Sequence, residues 1–223
     1  MSINIRWYKK HAFSLNGMEI FRHPDLSAHS GLPPQNDIEM YPLKKEEIPQ
    51  LMELHDTKCI EWNHIFTRED VEDRLASGQT CICSWYKGQL AGFIWLAPRR
   101  VFSPELRCMF ETDSTGVFEY NAFVNPDHRR MHVGLRLLDK ACQEFAERGF
   151  KTMYSYFRIS NQASRKGNTH LGFKKVGRIY YGYLLGYYYF IPSLSRESGL
   201  QARLCASPWH RWQTFVQKRV SAA

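Results

Sequence analysis

Residues 117–157 hold a strand, a helix and a strand in immediate succession, and this stretch constrains the fold more than any other. VFEYNAFV (117–124) is strand-like in its aromatic and β-branched content. Val133–Arg148 has helical periodicity, with Val133, Leu137, Leu138, Ala141, Cys142 and Phe145 on one apolar stripe and Gly149 at its end. KTMYSYF (151–157) is strand-like again. Two strands joined through a helix form a βαβ crossover, which is right-handed when both lie in one sheet.

The rest of the chain extends this unit. IEMYPL (38–43) reads as a strand, and KKEEIPQLMELHDT as a helix with Ile48, Leu51, Met52 and Leu54 sharing a face and Pro49 near its first turn. Thr67 to Asp70 resembles a capping box for a second helix, closed near Gly78. TCICSWY (80–86) and QLAGFIWLA (89–97) make a hairpin at Lys87-Gly88. A helix over Asn161–Leu171 stops at Gly172, and two strands, KVGRIYYGYLL and YYYFIP, flank Gly186. The expected order is β-α-α-β-β-β-α-β-α-β-β, a mixed α/β fold with a partly antiparallel central sheet flanked by helices.

This places one domain at 38–192. Residues 1–37 read as an extension, with one or two short strands around an Asn16-Gly17 turn and a Pro/Gly linker over His29–Gln35. Residues 193–223 read as a second extension, in which Trp209, Trp212, Phe215 and Val216 share one helical face packed on the domain. The tyrosine-rich run 180–192 supplies sheet packing, an aromatic acceptor pocket or a homodimer patch.

Net charge is +8, which favours an anionic partner such as a nucleotide-bearing molecule, an acidic carrier protein or a membrane surface. No long Lys/Arg run supports a nucleic-acid partner. The six cysteines form no CxxC pair, as expected of reduced thiols in a cytoplasmic protein. The opening MSINIRWYKKHAF has no apolar h-region, and no run of about 18 apolar residues predicts a membrane span. His128 and His132 are spaced i, i+4 but lack a carboxylate-bearing pattern, so no metal is expected.

The chemistry concentrates where strand 117–124 meets the long helix. Pro126 ends the ladder, Arg129 and Arg130 follow, and the helix opens at Val133-Gly134. A helix N-terminus presents unpaired N–H groups and a positive dipole end. Gly134 lets an anion approach the backbone, and the two arginines add charge-assisted hydrogen bonds to phosphate. The arrangement suits a diphosphate.

VNPDHRRMHVGLRLL (124–138) resembles the acyl-CoA-binding motif of the GNAT superfamily, V-x-P-x-x-R-x-x-G-x-G/A followed by two leucines. Val124, Pro126, Arg129, Gly134, Leu137 and Leu138 match in register. Asn161…Ser164…Leu171-Gly172-Phe173 resembles the family's N-x-x-A…L-G-F segment. Two motifs at the right separation are more specific than either alone. His132 departs from the family by standing where its first glycine usually lies, and Asn168 by standing where its frequent tyrosine acid falls.

The resemblance implies a GNAT-like N-acyltransferase. Its donor is acetyl-CoA or another acyl-CoA, and its acceptor is a primary amine of a small molecule such as an amino sugar or amino-acid derivative. A long-chain acyl group on an acyl carrier protein, and a non-catalytic CoA sensor, are the alternatives. The donor would contact Phe123, Val124, Arg129, Arg130, Met131, His132, Val133, Gly134, Leu135, Asn161, Ser164 and Arg165. Backbone N–H near Phe123 or Val124 would polarise the thioester carbonyl. Glu119 is the candidate base, with Asn121 expected on the same side of the strand. With Asn168 unable to act as an acid, the leaving thiolate would be protonated by His170, Tyr180, Tyr181 or water.

Overall fold

The structure, a computed structural model, describes residues 13–33, 37–59, 66–184 and 187–205. In chain order its elements are β1 (Phe13–His23), β2 (Ile38–Pro42), α1 (Ile48–Lys58), α2 (Arg68–Ala76), β3 (Thr80–Tyr86) and β4 (Gln89–Pro98). They continue with β5 (Arg100–Ser103), β6 (Cys108–Glu111), β7 (Gly116–Val124), α3 (Val133–Glu147), β8 (Thr152–Arg158), α4 (Gln162–His170), β9 (Lys174–Leu184), β10 (Tyr187–Leu194) and β11 (Gln201–Leu204).

Eight strands form one sheet in the order β10-β9-β1-β8-β7-β4-β3-β2. Within it β7 and β8 pair in parallel, as the crossover predicts, and the other described pairs are antiparallel. The mixed α/β class read from the sequence holds.

The stripe on α3 covers one face of this sheet. Val133, Leu137, Leu138, Ala141, Cys142 and Phe145 are all buried, against Ile94, Leu96, Val117 and Met153. Each large side chain buried there contributes about 1.5–3 kcal/mol. The opposite face carries α1 and α2, where Leu51, Leu54 and Val71 pack with Phe93, Trp95 and Phe118. Local signals act as read: Thr67 and Asp70 cap α2 reciprocally, at 2.7 and 3.2 Å. Pro49 lies in the first turn of α1.

Three readings are corrected. The segment before residue 38 is more than an extension, because β1 is a central strand paired with β8 on one edge and β9 on the other. It runs straight through Asn16-Gly17 instead of turning there. Gly17 is needed for space: a Cβ on it would lie 2.3 Å from Ile159 Cδ1. The predicted linker is fastened too, since Asp139 on α3 accepts from Leu32 N at 3.1 Å and contacts His29 Nε2 at 2.7 Å.

Second, the residues between the strands read at 89–97 and 117–124, to which the sequence assigned no element, hold the β5–β6 hairpin, the core of a separate three-stranded sheet ordered β11-β6-β5. Third, the stretch after 192 begins as strand: β10 reaches Leu194, and β11 pairs with β6. The predicted helical face from Trp209 to Val216 lies outside the described residues.

Candidate active site

The parallel pairing of β7 and β8 runs from Gly116↔Thr152 to Glu119↔Ser155 and stops. Both strands continue, β7 to Val124 and β8 to Arg158, so they splay beyond Glu119 and Ser155. A β-bulge in β7 accompanies the splay. Phe123 faces Phe93 and Tyr120 faces Trp95, so one residue of β4 opposes Asn121 and Ala122 together. Asn121 takes the extra turn at φ 50°. The simple alternation expected from Glu119 to Asn121 is therefore broken, although both line the resulting cavity.

That cavity measures about 1100 Å³. Glu119 and Ser155 lie at the vertex of its V. Both are buried, and the Ser155 hydroxyl donates to Glu119 Oε2 in a short hydrogen bond. Burial pushes the Glu119 carboxyl up to about 7, against the opposing effect of the Ser155 hydrogen bond. The carboxylate expected to act as a base is thus enclosed and poised to exchange a proton near neutrality.

One end of the cavity is basic. Arg129, Arg130, His132, Lys166 and the first turn of α3 line it, and both arginines are exposed. Arg130 (φ 71°) and His132 (φ 57°) adopt the left-handed conformation. Left-handed residues in a turn are a feature of backbone nests that hold anions. His132 is the N-cap of α3 and makes no capping hydrogen bond through its side chain, so it leaves the first-turn N–H groups open to solvent or an anion. Its φ explains why a glycine suits this position, and histidine tolerates it better than a β-branched residue. Gly134 has ordinary backbone but packs closely, since a Cβ there would lie 3.2 Å from Val124 Cγ2.

Most of the predicted donor contacts converge on this cavity. Phe123, Val124, Arg129, Arg130, His132, Val133, Gly134, Leu135, Asn161 and Ser164 all line it. Asn161 also caps α4, its Oδ1 accepting from Ser164 N at 3.1 Å. Met131 and Arg165 do not line it. Met131 packs against the α3-side core. Arg165 donates to the buried Glu19 at 2.7 Å and to Ile159 O at 2.6 Å.

Of the proton-donor candidates, His170 lines the cavity, whereas Tyr180 and Tyr181 do not. The tyrosines lie on β9, and β1 stands between that strand and β8. Tyr181 instead donates to Glu105. Asn168 is buried, and its Nδ2 donates to Ser164 O at 2.9 Å, so it braces α4. Other cavity residues were not singled out in the sequence, among them Ser155, Arg158, Tyr156 and Glu105. Tyr156 was hidden within a run of aromatic strand residues, and burial raises its phenol well above its ordinary value. Glu105 lay in a stretch to which the sequence assigned no element. Among the described residues no cluster of three or more His, Cys, Asp or Glu side chains could hold a metal.

A family model described as the acetyltransferase (GNAT) family matches residues 48–173, more than half of the chain. The chain belongs to the GNAT acetyltransferase family. The family uses acyl-CoA donors, and the GNAT match spans the splayed strands, the basic turn and α4. Solved structures share the GNAT fold at low identity. A Drosophila protein aligns with TM-score 0.56 and 12% identity, over 84% of this chain and 54% of its own. A protein from Novosphingobium aromaticivorans assigned to the GNAT family aligns with TM-score 0.52 and 14% identity, over 75% and 63%. A fungal glucosamine N-acetyltransferase region within a multi-domain β-N-acetylglucosaminidase gives TM-score 0.51 and 12% identity, over 78% and 22%. The chain thus spans just over half to under two thirds of the first two. No curated protein matches the sequence. Among the described residues no helix is long and apolar enough to cross a membrane.

Proposed function

We propose that this GNAT protein transfers an acetyl group from acetyl-CoA to a primary amine of a small molecule, such as an amino sugar or an amino-acid derivative, by direct attack in a ternary complex. The observation that carries this reading is the buried Glu119 at the vertex of the β7–β8 splay, in the cavity that also opens onto the basic turn of α3.

The residues fit an acyl-CoA. Arg129, Arg130 and the uncapped first turn of α3 would hold its diphosphate, and Asn161 and Ser164 would border its pantetheine arm. The bound donor supplies an activated thioester carbonyl. The backbone beyond the bulge, at Phe123 and Val124, is the source of a hydrogen-bond donor to that carbonyl. Glu119 takes the proton from the attacking amine. A carboxyl near 7 is half ionised at neutral pH, and it is a stronger base than an ordinary glutamate. His170 or water returns a proton to the leaving thiolate. Tyr156 is held protonated by burial and is a poor acid for that step.

Thermal melting with acetyl-CoA, a long-chain acyl-CoA and free CoA tests donor choice, because a ligand of the native state raises Tm. The reading requires a shift with acetyl-CoA at least as large as with the long-chain donor. Thiol release across a panel of amines then tests catalysis. A shift with CoA but no thiol release with any amine overturns the enzyme reading in favour of a sensor.

A further inference from the structure

The cavity is also lined by Met18, Tyr156, Arg158 and Glu105, and Met18 and Tyr156 belong to the core on the α1–α2 side of the sheet, the face opposite α3. Glu105 lies in the four-residue turn Pro104–Arg107 between β5 and β6. That turn is anchored firmly: Leu106 is fully buried, and its carbonyl accepts from the Tyr188 hydroxyl at 2.8 Å. The Glu105 carboxylate is itself oriented, with Oε1 accepting from the Tyr181 hydroxyl and from Arg158 Nε at 3.0 Å. Apart from Glu119, it is the one carboxylate lining the cavity among the described residues.

We propose that Glu105 is the acceptor-binding carboxylate, which gathers the cationic form of the amine at this wall of the cavity and presents it to Glu119. This rests on the acetyltransferase reading above and adds the acceptor's place and charge to it.

Electrostatics supports the assignment. An aliphatic amine reaches the protein as an ammonium ion, which a carboxylate on the acceptor side of the cavity attracts. Besides Glu119, which is only half ionised at neutral pH, Glu105 is the one negative counter-charge lining the cavity among the described residues. Arg158 offsets part of that charge, but its side chain is 52% exposed against 16% for Glu105, so solvent screens the guanidinium more. A carboxylate held in one orientation by Tyr181 and Arg158 also loses little freedom on binding. The ammonium ion keeps its proton at Glu105 and loses it only at Glu119, so the two carboxylates divide recognition from proton transfer.

The test is steady-state kinetics of thiol release from acetyl-CoA for wild type, Glu105→Gln and Glu105→Asp. The acceptors are aliphatic amines, including 1,4-diaminobutane, glucosamine and lysine, beside an aromatic amine that is neutral at pH 7.5. Calorimetry of acetyl-CoA binding accompanies it as a check on the fold. Glu105→Gln is expected to raise KM for the cationic acceptors about ten- to a hundredfold, the weight of a hydrogen bond to a charged group. Under the same account kcat, acetyl-CoA affinity and KM for the neutral amine stay within about twofold, and Glu105→Asp recovers part of the loss. Equal losses for neutral and cationic acceptors would show a merely structural role and overturn the proposal. So would an unchanged KM for the cations. Wild-type protein that binds acetyl-CoA but acylates none of the amines overturns the acceptor assignment, whereas failure to bind acetyl-CoA at all overturns the donor reading beneath it.

Discussion

Glu119 on β7 and Ser155 on β8 face one another at the last paired position before the two strands diverge, joined by a short hydrogen bond at the closed end of the cavity. The parallel ladder fixes their backbones, and the splay beyond them leaves room for two substrates. Burial and the Ser155 hydroxyl act on the Glu119 carboxyl in opposite directions, and burial wins.

Removing the Ser155 hydroxyl takes away the interaction that favours the ionised carboxylate. Ser155→Ala is therefore expected to move the apparent pKa of Glu119 above about 7. Proton uptake in the pH–activity profile would then shift to higher pH, with turnover at pH 7 reduced. A carboxyl-specific NMR titration would read the same change directly.

Glu119 also carries a stability cost. Its folded-state pKa is raised, so the protonated form is the one the fold prefers. The associated stabilisation is complete below the unfolded value and is lost as pH rises through about 7. Glu119→Gln keeps an uncharged acceptor for Ser155 and is expected to be more stable than wild type at pH 8.5, by up to about 3 kcal/mol, with the difference vanishing near pH 4. Urea unfolding at both values checks this.

His132 occupies left-handed backbone at the start of α3. His132→Val is expected to destabilise the protein by about 1–2 kcal/mol, because a β-branched side chain crowds the carbonyl in that conformation. His132→Gly removes the crowding but widens the unfolded ensemble, so stability changes by less than about 1 kcal/mol. Acetyl-CoA affinity measured by calorimetry should survive the glycine and fall with the valine. Arg129→Ala with Arg130→Ala should weaken acetyl-CoA about tenfold or more, as expected for charge-assisted phosphate contacts.

Glu19 on β1 ties three elements together. It is almost fully buried and meets Arg165 of α4 at 2.7 Å, with Lys175 and Arg178 of β9 at 3.5 and 3.1 Å. Burial raises its pKa, but the hydrogen bonds from Arg165 and Arg178 outweigh that and leave it lowered. A lowered carboxylate stabilises the fold above its unfolded pKa and loses that stabilisation as pH falls below it. Glu19→Gln is expected to cost about 1–3 kcal/mol at pH 7, the cations being partly exposed and able to rehydrate, and less at pH 3. Thermal melts at both values decide it.

The βαβ unit and the donor end of the site were legible because each rests on local chemistry. The α3 stripe, the capping box at Thr67 and Asp70, and the Arg129–Gly134 turn are all written within a few residues of sequence. What escaped depends on long-range pairing. Asn16-Gly17 carries the signal of a turn, yet two neighbouring strands hold it extended, and the glycine serves Ile159. Because β1 comes to lie between β8 and β9, Tyr180 is two strands from the splay, which no local pattern announces. Arg165 looked like a donor contact until Glu19, distant in sequence, proved to hold it. Glu105 and Tyr156 join the site only through the β5–β6 hairpin and the end of β8. The bulge at Asn121 is a register shift that depends on β4.

The central claim is that Glu119 deprotonates the acceptor at the vertex of the splay. The most direct measurement is the pH dependence of kcat for acetyl transfer from acetyl-CoA, in wild type and Glu119→Gln, over pH 5.5–9. The account predicts a wild-type profile that rises through an apparent pKa near 7. It predicts a Glu119→Gln enzyme that is slower by roughly 10²–10⁴-fold, lacks that limb, and binds acetyl-CoA as wild type does. A variant that keeps wild-type kcat and the same limb would contradict it.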